Sequence, residues 1–242
     1  MGHSIGFQAG KLHLYNANEN QYPSSPMTDT ADTPFTLSPR FLSALNYATT
    51  LHARQYRKGT KIPYISHLYS VAALVMEAGG TEAEVTAALL HDAVEDQGGA
   101  PTLELIRDQF GDEVADIVKG CTNDIPEDGR PKKPWRERKE GYIEQLSRAD
   151  RSVRLVSNAD KLHNARCILR DYKVLEEALW ERFSASRDDI LWYYRSLATM
   201  FLQDPTKYWL AVELDDTVSL LASLCTEVPR STGRYTHNRQ SQ

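Results

Sequence analysis

From residue 37 onward, apolar side chains recur at three- and four-residue spacing, the period of an amphipathic helix and not the alternation of a strand. Ser38 followed by Pro39 predicts an N-cap with proline at the first helical position. Phe41, Leu45, Ala48 and Leu51 extend the stripe, so a first helix is expected to run to about Arg57. Glycine and proline within residues 58–63 break it, because the residue before proline avoids the α region. A second helix is expected from near His67, carrying Val71, Leu74 and Val75 and ending at Gly79 and Gly80. Thr81 with Glu84 three residues on is a capping box, which starts a third helix through about Asp96, closed by Gly98 and Gly99.

Shorter helices are expected at 102–110 and 112–122, then a polar, proline-bearing connection over 123–134. Residues 135–147 and 149–171 read as two more, the second marked by Val153, Val156, Leu162, Ala165 and Ile168. Leu191, Tyr194, Leu197, Ala198 and Phe201 mark another, and Asp204 with Pro205 leads into a last one through Leu210, Leu214, Val218 and Leu221. With no alternating strand and no repeat of fixed period, the fold class is all-α, a single domain over about 37–228. Residues 1–36, rich in Asn, Gln, Ser, Thr and Pro, and residues 229–242 are expected to be flexible tails. Met27 is read as the natural start.

Composition narrows the functional classes. A total of 28 Lys and Arg against 33 Asp and Glu leaves a net charge of −5, which argues against binding nucleic acid through the overall field but leaves a small anionic substrate open. A hydrophobic content of 41% is enough for a substantial core. The longest apolar runs, such as 71–75 and 87–90, are far shorter than the roughly 20 residues that cross a bilayer, so no membrane partner is expected. Cys121, Cys167 and Cys225 are widely spaced, which fits a reducing compartment and offers no zinc ribbon. Without a secretory signal pattern, a cytoplasmic location is the default.

The chemistry concentrates in residues 89–96, LLHDAVED. On one helix, His91 and Asp92 would lie about 100° apart, with Glu95 and Asp96 each four residues further on. This polar arc follows an apolar run, and burying it without compensation would be prohibitive; a divalent cation would balance it. Alternatively, Glu95 and Asp96 decorate a helix end that faces water. Asp160, within residues 157–164 (SNADKLHN), again interrupts a packing stripe, and His67, at the end of residues 63–67 (PYISH), sits at a loop-to-helix junction. His67, His91, Asp92 and Asp160 make a mixed nitrogen and oxygen set of the kind that suits Mn²⁺, Fe²⁺ or another borderline metal with open positions.

These segments, with QYRKGTKIPYISH upstream, HDAVED and SNADKLHNAR, resemble the HD-type metal-dependent phosphohydrolases, above all the hydrolase domain of the RelA/SpoT alarmone enzymes and the small alarmone hydrolases. The resemblance spans about residues 40–200. It implies an HD-type helical bundle in which His67, His91, Asp92 and Asp160 bind one Mn²⁺, while Glu95 and Asp96 position and activate the attacking water. Arg57 and Lys58 would line the nucleotide pocket, with Tyr64 at its wall and Asn164 near the nucleoside; Lys161 and Arg57 would clamp phosphate. The implied reaction is hydrolysis of the 3′-diphosphate of guanosine tetra- or pentaphosphate. With no synthetase half evident, the chain is expected only to degrade.

Two departures from the family pattern stand out, the first expected to change only the helix entry and the second to bear on purine choice. Leu68 follows His67 where relatives often carry proline, and Cys167 stands where they often carry threonine. An adenosine alarmone, ppApp, is therefore a competitor to ppGpp, and NADPH is another conceivable substrate. Two further readings are a nucleotidase acting on monophosphates and a non-catalytic alarmone-binding module. His52 reads as packed or orienting, and His163 as orienting a neighbour in the site. The basic segment 130–139 reads mainly as a solvated face, with Arg138 or Lys139 able to reach substrate phosphates. Trp192, Tyr193 and Tyr194 read as core and rim aromatics, and His3, His13 and His237 as inert.

Overall fold

The computed structural model describes residues 36–123, 133–203 and 209–227. Residues 1–35 of the first expected tail, the whole of the second, the start of the last helix at Asp204 and most of the 123–134 connection lie outside them. Among the described residues every regular element is helical, and the only β pairing is an isolated bridge between Tyr56 and Pro63. No described helix is long and apolar enough to cross a membrane.

Helix α1 (Pro39–Leu51) starts where expected, the Ser38 hydroxyl accepting from the Arg40 amide at 3.2 Å, and buries Phe41, Ala44 and Ala48. It stops six residues short of Arg57. The backbone there is used differently: Arg57 N–H donates to the Ile62 carbonyl at 2.8 Å and Tyr64 N–H to the Gln55 carbonyl at 2.9 Å. These bonds close a tight loop over 56–63 that no continuing helix could make, and Gly59 sits in it at φ +69°.

Helix α2 (Ile65–Glu77) begins two residues before His67. Helix α3 (Glu82–Leu90) carries the full capping box: the Thr81 hydroxyl accepts from the Glu84 amide and Glu84 Oε2 from the Thr81 amide. It does not continue to Asp96. The chain turns through His91 and Asp92 before a one-turn helix α4 (Ala93–Asp96), so the expected single helical arc over 91–96 is corrected to two pieces. At this break the His91 Nδ1 lies 2.8 Å from the Ala88 carbonyl, which competes with the next helical bond.

Helices α5 (Gly99–Phe110), α6 (Asp112–Cys121) and α7 (Trp135–Ser147) follow close to expectation. Helix α8 (Arg151–Leu175) runs four residues beyond its expected end. A 3-10 turn (Glu176–Arg182), not anticipated, leads to α9 (Arg187–Leu202), and α10 (Trp209–Glu227) ends the described chain.

The long α8 is the centre of the bundle, packed against α2, α3, α6, α9 and α10. Val153, Leu155, Val156, Ala159, Leu162, Ala165 and Ile168 are buried along it. Its N-terminus is tied to α3 by the buried Glu84, whose Oε1 accepts from the Ser152 hydroxyl at 2.7 Å and lies 3.7 Å from Arg151. Replacing Glu84 with Ala leaves the Thr81 amide and the Ser152 hydroxyl without their carboxylate. Denaturant unfolding should show a loss of about 2–4 kcal/mol; a loss below about 1 kcal/mol would mean that water replaces the carboxylate.

Candidate active site

Three elements deliver four side chains to one point. The first turn of α2 supplies His67, the α3–α4 turn supplies His91 and Asp92, and the middle of α8 supplies Asp160. His67 Nε2 lies 3.2 Å from Asp160 Oδ1 and 3.5 Å from Asp92 Oδ2. His91 Nε2 lies 3.0 Å from Asp92 Oδ2 and 3.8 Å from Asp160 Oδ1. Ligand atoms of His67, His91 and Asp92 fall within 4.8 Å of one another.

The chemistry of this donor set fits a cation between the four groups. Both Nε2 atoms are buried without a hydrogen-bond partner, so their approach to the carboxylates is close but not bonded. Their other nitrogens explain why. His91 Nδ1 faces a carbonyl, which can only accept, so Nδ1 carries a proton. Burial disfavours a second proton on Nε2, but Asp92 and Asp160 outweigh it and raise the ring's pKa well above the ordinary value, a stabilisation that a cation between these groups would take over. His67 Nδ1 lies 2.7 Å from His163 Nδ1. Burial, then His67 and Arg57, depress the His163 pKa to about 3, so that ring is neutral and can accept from His67. Its remaining N–H then faces Cys167 Sγ at 3.7 Å. Both rings are thereby oriented through Nδ1, His91 by a backbone carbonyl of the kind that metal-bound imidazoles use and His67 by a second imidazole.

The carboxylates are held ionised. Burial works against Asp92 and Asp160, but His91 and His67 at the first, and Lys161 and the two histidines at the second, bring both well below the ordinary range. The Tyr64 hydroxyl donates to Asp92 Oδ2 at 2.6 Å. Lys161 Nζ reaches Asp160 Oδ2 and Asn164 Nδ2 reaches Asp160 Oδ1. Arg57 Nη2 in turn donates to Asn164 Oδ1 at 2.6 Å, and its guanidinium lies 5.6 Å from the Tyr64 ring centre.

Glu95 and Asp96 project from α4 into the same cleft, exposed to water on one side and surrounded by protein on the others. Burial, followed by the charge on Asp92, raises both pKa values. Sequence reasoning missed the group that aims Asp96. Gln55 Nε2 donates to Asp96 Oδ2 at 2.7 Å, while Gln55 Oε1 lies 2.7 Å from both Gln97 Nε2 and His52 Nδ1. His52 is itself buried and stacks on Tyr64 at 5.4 Å. The spacing of Gln55 from Asp96, 41 residues, left no local signal of this contact.

The cleft, about 590 Å³, brings together Arg57, Lys58, Tyr64, Lys161 and Asn164 with Asp92, Asp160, Glu95 and Asp96; His67 and His91 lie buried behind this wall. Lys139 also lines it, its pKa drawn down to about 8 by burial and by Lys161. Arg138 instead donates to the Lys133 carbonyl, and Arg136 covers Trp192 and pairs with Glu140, as a solvated face would. Tyr193 and Tyr194 are buried, and the latter reaches the cleft wall.

The family model described as HD domain matches residues 44–191, well over half of the chain. The chain belongs to the HD-domain family. A relative in Xenopus tropicalis named guanosine-3′,5′-bis(diphosphate) 3′-pyrophosphohydrolase MESH1 is 39% identical over 132 residues, covering 53% of this chain and 69% of the relative. A probable guanosine-3′,5′-bis(diphosphate) 3′-pyrophosphohydrolase of Synechocystis is 37% identical over 131 residues, 52% of this chain and 16% of that protein. A solved structure of a metazoan SpoT orthologue that hydrolyses ppGpp matches with a TM-score of 0.60 at 27% identity, covering 76% of this chain and 97% of that one. The HD-domain assignment and the His67, His91 and Asp92 cluster together imply a divalent metal ion.

Because such an ion would bind the folded HD domain alone, it should stabilise it. Adding a divalent cation at about 100 times its Kd to chelator-stripped protein should raise Tm by about 5–10 °C. Asp92→Asn should abolish the rise; an equal rise in the variant would place the ion elsewhere.

Proposed function

We propose that this HD-domain protein is a Mn²⁺-dependent 3′-pyrophosphohydrolase of guanosine alarmones, converting ppGpp or pppGpp to GDP or GTP and pyrophosphate. The observation that carries it is the pair of orphaned imidazole Nε2 atoms facing Asp92 and Asp160, beside a second acidic pair in a cleft lined with lysines. The names of the MESH1 and SpoT-like relatives support the substrate class. The unbridged Cys121, Cys167 and Cys225 fit action in a reducing cytoplasm.

In this reading His67, His91, Asp92 and Asp160 hold the ion. Bound there, Mn²⁺ would supply a water of lowered pKa and neutralise charge on the phosphoryl oxygens. The protein does the rest. Asp96, oriented by Gln55, and Glu95 accept the proton of the attacking water; their raised pKa values bring them toward the range in which a carboxylate is an effective base. Lys139 supplies positive charge to the diphosphate, joined by Lys161, whose ammonium is shared with Asp160. Arg57, fixed by Asn164, offers a planar cation on which a base can stack.

A second substrate, the adenosine alarmone ppApp, is favoured by one observation. Between Asn164 and the charged far end of the cleft, Cys167, Ile168 and Leu179 line part of the wall and offer little to distinguish guanine from adenine.

Asp96→Asn should lower kcat on ppGpp by about 10²–10³-fold with bound metal unchanged; a loss below about 10-fold would remove Asp96 from proton transfer. The pH profile of kcat/KM should have two limbs. Protonation of the acidic pair cuts activity as pH falls through a value above the usual carboxylate range. Loss of the Lys139 charge cuts it as pH rises through about 8, and in Lys139→Met that second limb should vanish.

A further inference from the structure

One face of α8 forms the floor of the cleft well beyond the metal centre. Asp160, Asn164, Cys167 and Asp171 recur at three- and four-residue spacing and all line it. Eleven residues of helix carry this floor about 16 Å from Asp160 to Asp171. The far end is strongly cationic. Asp171 Oδ2 accepts from Arg182 Nη1 at 2.9 Å and Asp171 Oδ1 from Arg170 Nε at 2.9 Å, and Lys58 lines the same mouth. Three cations against one carboxylate, 3 − 1, leave a charge of +2 facing the opening.

Arg182 is placed there by two unusual pieces of backbone. Glu176, at φ 48° and ψ −134°, takes a conformation that side chains rarely adopt, and it turns the chain back so that Leu179 and Arg182 both reach the cleft. The strained turn is anchored by the Tyr172 hydroxyl, which donates to Glu177 at 3.0 Å. On the opposite side the Arg182 stem lies across Gly59, where an added Cβ would come within 2.8 Å of Arg182 Cδ. Only one of its five N–H donors is spent on Asp171.

We propose that Arg182, Arg170 and Lys58 form a second anion subsite, which takes the 5′-polyphosphate of a nucleotide whose 3′-diphosphate lies at the metal centre. The inference rests on the hydrolase reading above. The floor of α8 spans a ribose with phosphates on both sides, and the fixed pair of guanidinium groups suits phosphate oxygens better than a neutral ligand. The nucleotide would thus be gripped at both ends, with the uncommitted apolar wall at its base.

Steady-state kinetics on the full chain with three guanosine 3′-diphosphates, bearing a 5′-hydroxyl, a 5′-diphosphate or a 5′-triphosphate, tests the subsite. In the wild type KM should fall at least about tenfold from the first substrate to the second. In Arg182→Gln that ratio should collapse toward one, and Arg182→Lys should restore part of it. A wild-type KM indifferent to the 5′ group, or a change in Arg182→Gln equal for all three substrates, overturns the proposal and leaves Arg182 as packing for Gly59. Calorimetric binding of guanosine and GDP separates the two readings. If no 3′-diphosphate is hydrolysed but GDP binds more tightly than guanosine, and only with Arg182 present, the subsite stands and the hydrolase assignment falls. Equal affinities for the two ligands in the wild type sink the subsite.

Discussion

Two carboxylates pressed against two imidazoles inside a helical bundle set the terms for everything around them. An uncompensated charge at the depth of Asp160 would be several kcal/mol unfavourable, so the helices that carry these groups must meet with their charges balanced. That requirement explains why α2, the α3–α4 turn and α8 converge where they do. It also explains the next layer. Tyr64, Lys161 and Asn164 each donate a hydrogen bond to Asp92 or Asp160, and His163 faces His67, so the lone pairs directed inward are those left for a cation.

The helical architecture was legible because its signals are local. Ser38, Thr81 with Glu84, and the apolar stripe of α8 each act within a few residues of themselves, and all are found where the pattern put them. Residues meant to share the site were legible for a related reason: a carboxylate or imidazole in a stripe otherwise suited to packing needs a partner. What failed to show is non-local. The end of α1 is set by backbone bonds from Tyr64 N–H to Gln55 and from Arg57 N–H to Ile62, and the break at His91 by a ring nitrogen competing for a carbonyl. Propensity says nothing about either. The 3-10 turn after α8 depends on Glu176 in a conformation that a glycine would have advertised and a glutamate conceals.

The cleft is unequal along its length. Near the candidate metal site the two carboxylates are already bonded to Tyr64, Lys161 and Asn164, while both imidazole Nε2 atoms face them without a hydrogen-bond partner. Between that site and the arginines at the far end, Cys167, Ile168 and Leu179 make few directional demands. Such a division favours strict recognition of phosphate positions and loose recognition of the base, since unpaired buried polar groups discriminate far more strongly than apolar walls do.

The short loop between α1 and α2 has its own implication. Gln55 at its root steers Asp96, Arg57 just beyond it grips Asn164, and Tyr64 at its exit holds Asp92. In the proposed reading, one loop therefore bears on the proton acceptor, the base and the ion at once. A substitution that shifts this loop would therefore disturb three contacts of the cleft together and not one of them alone.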